Sequence, residues 1–189
     1  MDNLPHIYFC GKAGAGKTYS CEYIKSKYGF VQAKFAYPVY QICRDYFGMA
    51  NKNRKLLQFL GTDIGREHID TNLWVERFLQ DTWMVEETAK KLYNKSIKFC
   101  SDDVRFPNEH EALKEEGWVG IYLDVPDAVR IARLTGRDGD AQVHTLQHTS
   151  ETSLDSFKDE LIKVDASGSL DQTYQRLEET LEYIRREKK

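Results

Sequence analysis

The chain has 189 residues and a mass of 22.0 kDa, which suffices for one well-packed domain but not for two of ordinary size. It carries 27 lysines and arginines against 30 aspartates and glutamates, a formal net charge of -3, so it offers no basic field for gripping a nucleic acid polymer. No apolar stretch approaches the roughly 20 residues of a membrane span, and the start lacks a signal peptide pattern. We therefore expect a soluble, non-exported protein without a nucleic acid polymer or a membrane as partner.

The four cysteines lack CxxC spacing and lie inside apolar segments. This pattern favours reduced, buried thiols of an intracellular protein over a disulfide framework or a zinc site.

A short apolar strand is predicted over residues 6–10, and a glycine-rich segment follows it directly. Gly11, Gly16, Lys17 and Thr18 fit the pattern G-x-x-x-x-G-K-[ST], and a helical pattern begins immediately after them. Strand, loop and helix in this order are the context in which the pattern indicates a phosphate-binding loop, rather than a glycine-rich turn with a surface lysine. The loop amides and Lys17 are expected to hold phosphates, and the Thr18 hydroxyl to ligate Mg²⁺.

The residues predicted to bind the nucleotide in this loop are Gly11, Ala13, Gly14, Ala15, Gly16, Lys17, Thr18 and Tyr19.

The later part of the chain alternates strand and helix patterns. Further strands are predicted at residues 31–35, 96–100, 118–125 and 161–165. Two long amphipathic patterns predict helices, one from Val75 to Leu92 and one from Leu170 to Ile184. The alternation predicts an α/β fold of the P-loop NTPase type, with a parallel five-stranded sheet and helices on both faces.

Two segments break the alternation. Residues 36–93 hold several helical patterns between two strands, which predicts a helical, substrate-binding insertion within a single domain spanning 1–189. Residues 135–152 are polar, punctuated by glycine and unpatterned, so we interpret 126–152 as a short lid region that ends in a mobile loop over a cleft.

The segment SDDVRFPNE follows the third strand. In it Asp103 and Arg105 stand at i and i+2 of an extended stretch, so they project to the same side. The carboxylate is able to receive a donor from a base or hold a metal-bound water, and the guanidinium to clamp a phosphate. Pro107 and Glu109 mark the start of a helix, and the alternative is an Asp–Arg pair with an acidic helix cap.

Three arginines precede the unpatterned loop. Arg130, Arg133 and Arg137 stand at i, i+3 and i+7, which places them on one helical face where they are able to converge on one anionic target. Phosphoryl transfer between two nucleotides needs such a cluster, because repulsion between donor and acceptor phosphates must be neutralised. The alternative is a solvated basic face.

Motifs along nearly the whole chain resemble those of bacteriophage-type deoxynucleoside monophosphate kinases, a branch of the P-loop kinases. They are GKAGAGKT (11–18), KFAYP (34–38), LLQFLGTDIGRE (56–67), NLWV (72–75), DVRFPNE (103–109) and HTSE (148–151). The phosphate loop occurs in many families, whereas LGT followed by arginine and Trp-Val, DVRFPNE and the late His-x-Ser-Glu are more specific.

The resemblance implies roles for further residues. Arg66 would hold the acceptor phosphate, and Trp74 would either stack on a base or pack in the core. His148 would either close the loop by a hydrogen bond or contact the substrate. The implied substrate-binding residues are Lys34, Phe35, Arg66, Trp74, Asp103, Arg105, Glu109 and His148. The implied catalytic residues are Lys17, Arg66, Arg133 and Arg137, with Arg130 at the nucleotide, and Thr18 and Asp103 at the metal.

The implied activity is transfer of the γ-phosphoryl group of Mg·ATP to a deoxynucleoside monophosphate, giving the diphosphate and ADP. The cofactors are then ATP and Mg²⁺, the location is the cytoplasm, that of the host if a phage encodes the chain, and relatives suggest a homodimer. Two alternatives stay open: a P-loop kinase for another small acceptor, and a nucleotide-binding regulator without transfer activity.

Overall fold

A computed structural model describes residues 4–138 and 153–187. The backbone forms two compact units, the first built from residues before 33 and after 97, the second from Ala33–Ile97. The helical insertion predicted over 36–93 falls inside the second unit.

The first unit contains a five-stranded parallel sheet. Its strands are β1 (Ile7–Cys10), β2 (Val31–Gln32), β3 (Phe99–Ser101), β4 (Val119–Asp124) and β5 (Ile162–Asp165). The order across the sheet is β2-β3-β1-β4-β5, and every neighbouring pair is parallel. The central strand β1 pairs Ile7 with Cys100 on one side and with Val119 on the other. The predicted five-stranded parallel sheet is confirmed.

The α-helices of the described residues are, in chain order, α1 (Lys17–Tyr28), α2 (Tyr37–Phe47), α3 (Arg54–Gln58), α4 (Leu73–Tyr93), α5 (Pro107–Glu115), α6 (Asp127–Asp138) and α7 (Leu170–Glu187). A π-helical segment, Phe59–Ile69, joins α3 to the chain before α4.

Successive side chains of β1 point to opposite faces of the sheet. Because both sets are apolar and buried, helices cover both faces. Ile7 and Phe9 pack in the main core with Ile24 of α1 and Leu177 of α7. Tyr8 points to the other face, where its hydroxyl meets Nδ1 of a buried histidine on α5 at 2.7 Å.

The second unit has its own smaller core. Val39 and Cys43 of α2 are buried together with Trp74 of α4, and leucines of α3 and the π-helical segment pack around them. Phe35 stacks on Phe78 of α4 with ring centroids 4.0 Å apart.

Several element boundaries differ from those predicted. The second strand ends at Gln32 rather than at residue 35, because the chain passes there into the second unit and Pro38 begins a helix. The helix predicted from Val75 forms, but Val85 and Leu92 of its predicted inward stripe are exposed. Helix α6 continues through residues 135–138, where an irregular loop was predicted, and the remainder of that loop, 139–152, lies outside the described residues.

The four cysteines are free and buried, as predicted. Among the helices of the described residues, none combines the length and the apolar composition that crossing a bilayer requires.

Candidate functional site

The glycine-rich loop joins β1 to α1 and adopts backbone angles that favour glycine. Gly11, Gly14 and Gly16 have φ values of 145°, 83° and 98°. A Cβ on Gly11 would lie 2.9 Å from the carbonyl oxygen of Leu123, and one on Gly14 would lie 2.6 Å from that of Arg130. The loop is therefore packed against the end of β4 and the backbone of α6, with no room for side chains at these two points.

Lys17 is the first residue of α1, and its side chain folds back over the loop. Its Nζ donates to the carbonyl oxygen of Gly11 and, at 3.3 Å, to that of Lys12. The ammonium group thus lies beside the loop backbone at the positive end of the helix dipole, where an anionic phosphate is favoured. Ala15 is buried, whereas Tyr19 on the next turn is exposed.

Thr18 meets a carboxylate from the end of β3. Its Oγ1 donates to Oδ2 of Asp102 at 2.8 Å, and Nε2 of Gln32 donates to Oδ1 of the same carboxylate at 2.9 Å. Asp103, which we predicted at the metal, instead accepts a hydrogen bond from the hydroxyl of Ser101 at 2.9 Å. The acidic residue beside Thr18 in the structure is Asp102.

Asp102 was missed because two adjacent aspartates follow one strand. The pairing of Asp103 with Arg105 at i and i+2 drew the prediction to the second of them. The signal that identifies the first is its place directly after Ser101, the last residue of β3, next to the start of α1.

Glu109 caps α5. Its Oε2 accepts hydrogen bonds from the backbone N–H of Arg105 at 2.7 Å and of Phe106 at 3.1 Å, and the side chain is only 1% exposed. This is the acidic helix cap that the sequence left open as an alternative. Glu109 therefore fixes the backbone that carries Arg105, whose own side chain is exposed.

The arginines of α6 take separate partners. Arg130 is buried, and its Nε donates to Oδ1 of Asp127 at 2.7 Å, which lowers the pKa of that carboxyl. Arg133 donates to the carbonyl oxygens of Ser167 at 3.3 Å and Gly168 at 2.7 Å, in the loop between β5 and α7. The predicted convergence of these two side chains on one anionic target stays a prediction. The side chain of Arg137 and all of His148 lie outside them.

In the second unit, Arg66 is carried by the π-helical segment, and Trp74 holds that segment in place. The indole Nε1 of Trp74 donates to the carbonyl oxygen of Gly61 at 2.7 Å. A Cβ on Gly65 would lie 2.6 Å from this indole nitrogen. Trp74 is 7% exposed. Of the two roles left open for it, packing is the one that this geometry fits.

Two further predicted substrate residues lie at the start of the second unit. Phe35 is buried against Phe78, and Lys34 is exposed. Their predicted contact with a substrate stays a prediction, as does that of Arg66.

Oxygen atoms of the right kind for Mg²⁺ lie together at Thr18 and Asp102, since this ion prefers carboxylate, hydroxyl and phosphate oxygens. The glycines before Lys17 carry no side chains, so the loop backbone is able to come close to nucleotide phosphates. The residues present thus fit a magnesium–nucleotide complex.

Two viral proteins are similar to this chain in sequence. No protein-family model matches the chain. A protein of Acanthamoeba polyphaga mimivirus, whose naming as a deoxynucleotide monophosphate kinase is itself provisional, is 27% identical over 64% of this chain and 74% of its own length. The uncharacterized protein ORF77 of Ictalurid herpesvirus 1 (strain Auburn) is 29% identical over 81% of this chain, which spans only 60% of that protein.

Among solved structures, a gluconokinase from Sinorhizobium meliloti 1021 superimposes with a TM-score of 0.58 at 15% identity, covering 99% of this chain and 97% of its own. At that identity the likeness concerns the fold alone. The chain therefore has a P-loop kinase fold, as predicted, and is similar in sequence to a viral protein provisionally named a deoxynucleotide monophosphate kinase.

Proposed function

We propose that this chain transfers the γ-phosphoryl group of Mg·ATP to the 5′-phosphate of a deoxynucleoside monophosphate. The observation that carries the proposal is the arrangement of Lys17 over the glycine loop with the Thr18–Asp102 pair beside it. The similarity to the mimivirus protein supports the choice of acceptor.

At the donor side, the loop amides and Lys17 bind the β- and γ-phosphates, and Thr18 and Asp102 hold the magnesium ion, directly or through its water. Bound magnesium would supply neutralisation of phosphate charge. The buried Arg130 lies against the loop through its carbonyl oxygen and belongs to the nucleotide side of the proposed site.

At the acceptor side, Arg66 binds the phosphate of the monophosphate. The acceptor phosphate is ionised near neutral pH, so positioning and charge neutralisation suffice, without a dedicated general base. Arg133 would have to leave the carbonyl oxygens of Ser167 and Gly168 to reach a phosphate. Arg137 keeps its predicted catalytic role.

ADP release tests the proposal in a coupled assay with ATP, Mg²⁺ and a panel of acceptors. We expect one or more deoxynucleoside monophosphates to stimulate ADP release well above the acceptor-free rate. Stimulation by gluconate or another non-nucleotide acceptor alone would replace the proposed substrate class. ATP binding without stimulation by any acceptor would favour the nucleotide-binding regulator.

Two variants separate the donor and acceptor sides. Lys17→Ala should reduce turnover by roughly 100-fold or more, because it removes the positive charge that stabilises the phosphates in the transition state. Lys12→Ala is its matched control, since Lys12 contacts Lys17 through its backbone carbonyl oxygen. Arg66→Ala should mainly raise the KM for the acceptor and leave ATP binding unchanged, with the exposed Arg77→Ala as control. Equal loss of ATP binding in the Lys17 and Arg66 variants would contradict this division.

We also propose a second copy of this chain as its protein partner. Helix α4 supports this, because its C-terminal half exposes several large apolar side chains: Trp83, Met84, Val85, Leu92 and Tyr93.

A further inference from the structure

Gln32 ends the edge strand β2 and contacts the carboxylate that also binds Thr18. Its Nε2 donates to Oδ1 of Asp102 at 2.9 Å, while the Thr18 hydroxyl donates to Oδ2 at 2.8 Å. The carboxylate is 6% exposed. One oxygen of Asp102 is thus held from β2 and the other from α1.

The orientation of the Gln32 amide is itself determined by a neighbour. Nζ of Lys25 donates to Oε1 of Gln32 at 3.3 Å, and an ammonium group is only a donor. Because the amide oxygen faces Lys25, the NH₂ group faces Asp102. In the sheet Gln32 pairs with Cys100, two residues before Asp102, so the parallel register brings the amide to the end of β3.

We infer that Gln32 is a positioning residue for the magnesium site: it fixes the Asp102 carboxylate so that Oδ2 stays aimed at Thr18. This inference rests on the proposed function. A glutamine fits this position because its neutral amide donates a hydrogen bond to the carboxylate. A second acidic side chain there would instead repel the carboxylate. Partners of this kind typically change metal affinity by 10- to 100-fold when they are removed.

The test measures metal binding rather than turnover. Mn²⁺ replaces Mg²⁺ as a paramagnetic probe and is titrated by electron paramagnetic resonance into the full chain saturated with ADP. Gln32→Met keeps the length of the side chain and removes the donor, and we expect it to weaken Mn²⁺ binding about 10-fold. ADP affinity in EDTA should stay within about twofold, because the phosphate loop itself is unchanged.

A double-mutant cycle separates positioning from general structural damage. If Gln32 acts through Asp102, adding Gln32→Met to Asp102→Asn should change Mn²⁺ affinity by less than about twofold. Lys25→Met is the matched control on the same chain of contacts, and it should cost less than Gln32→Met because Asp102 keeps its donor. Gln32→Leu provides a second variant should Gln32→Met fold poorly, as judged by the thermal unfolding midpoint.

Three outcomes overturn the inference: unchanged Mn²⁺ affinity in both Gln32 variants, fully additive losses in the cycle, or equal losses of ADP affinity with and without metal. Failure of the proposed function looks different. Non-additive effects of the Gln32 and Asp102 substitutions on Mn²⁺ affinity, without any acceptor-dependent ADP release, would overturn the kinase proposal and support the role of Gln32. A wild-type chain that binds no ADP would overturn both.

Discussion

Gly14 shows at the level of one residue why the loop sequence tolerates little change. Its φ of 83° disfavours any L side chain, and a Cβ would lie 2.6 Å from a carbonyl oxygen of α6 that the helix holds in place. We expect Gly14→Ala to lower the free energy of unfolding by roughly 2–4 kcal/mol, from backbone strain and overpacking together. Denaturant-induced unfolding of the variant and the wild type measures this loss of unfolding free energy.

The control for this prediction is Gly29→Ala. Gly29 has a similar φ of 70°, but a Cβ there would meet no atom within 4 Å. This variant should carry only the backbone cost, about 1–2 kcal/mol. Equal losses for the two variants would show that α6 yields to the added methyl group and that the close approach at Gly14 is unimportant.

His6 makes stability depend on pH. Burial, and secondarily the charge of Lys98, lowers the pKa of His6 from 6.5 to about 4, and its Nδ1 accepts a hydrogen bond from the backbone N–H of Phe99 at 3.0 Å. The unfolded chain therefore takes up a proton between pH 6.5 and about 4 that the folded chain does not. This contribution to stability is complete above pH 6.5 and is lost as the pH falls towards 4.

Unfolding titrations at pH 7 and pH 5 check this sign, with His6→Asn as the comparison. Asparagine offers an acceptor oxygen to the same N–H but does not titrate. The loss of unfolding free energy between pH 7 and pH 5 should be larger for the wild type than for the variant. A variant that loses as much as the wild type would exclude His6 as the source.

The sequence predicted some single residues well and others not, for a physical reason. Lys17 and Thr18 stand at fixed spacing within one local motif, and the structure places them at the loop as expected. Asp102 contacts residues 70 and more positions away in the chain, and the local spacing of Asp103 and Arg105 gave no sign of these contacts.

At the level of elements, the π-helical segment depends on one tryptophan of α4. Trp74→Phe keeps an aromatic ring but removes the indole N–H that reaches Gly61. We expect it to lower the free energy of unfolding by roughly 1–3 kcal/mol, because a backbone carbonyl loses its donor and the ring fills less space. The same variant should raise the acceptor KM if the segment positions Arg66 as proposed.

Tyr46→Phe is the control on α2 of the same unit. Tyr46 is 83% exposed, so its replacement should change stability by less than about 0.5 kcal/mol. A similar effect of both substitutions would contradict a specific role of Trp74.

The positions of most strands and long helices follow from periodicity, whereas their ends do not. Helix α4 was predicted from the spacing of apolar residues within its own sequence. Which of these residues are buried depends on where other parts of the chain pack against the helix. Its first half covers the core of the second unit, while Val85 and Leu92 are left exposed. For the same reason, β2 ends where the second unit begins.

At the level of the whole molecule, the parallel sheet was predictable and the strand order was not. Alternating strands and helices predict parallel strands from local patterns alone. The order β2-β3-β1-β4-β5 arises from pairings such as that of Ile7 with Cys100, two residues that the whole second unit separates in the chain. Such pairings depend on long-range packing.

The proposed dimer would use the exposed face of α4 about a twofold axis. Met84 and Leu92, 51% and 69% exposed, lie at equal spacing on either side of Thr88. Antiparallel packing of two copies about Thr88 would place each Met84 against the partner's leucine.

Sedimentation velocity over a concentration series tests this dimer. We expect Leu92→Glu to shift the chain to the monomer, because it brings two new charges into an apolar contact. Met84→Lys should also dissociate the dimer, and the double variant Met84→Lys/Leu92→Glu should recover association, because each new lysine then faces the partner's new glutamate. Tyr46→Glu, on the exposed surface of α2, is the control and should leave association unchanged. A wild-type chain that sediments as a monomer at every concentration, or a double variant that stays dissociated, would rule out this face as the interface.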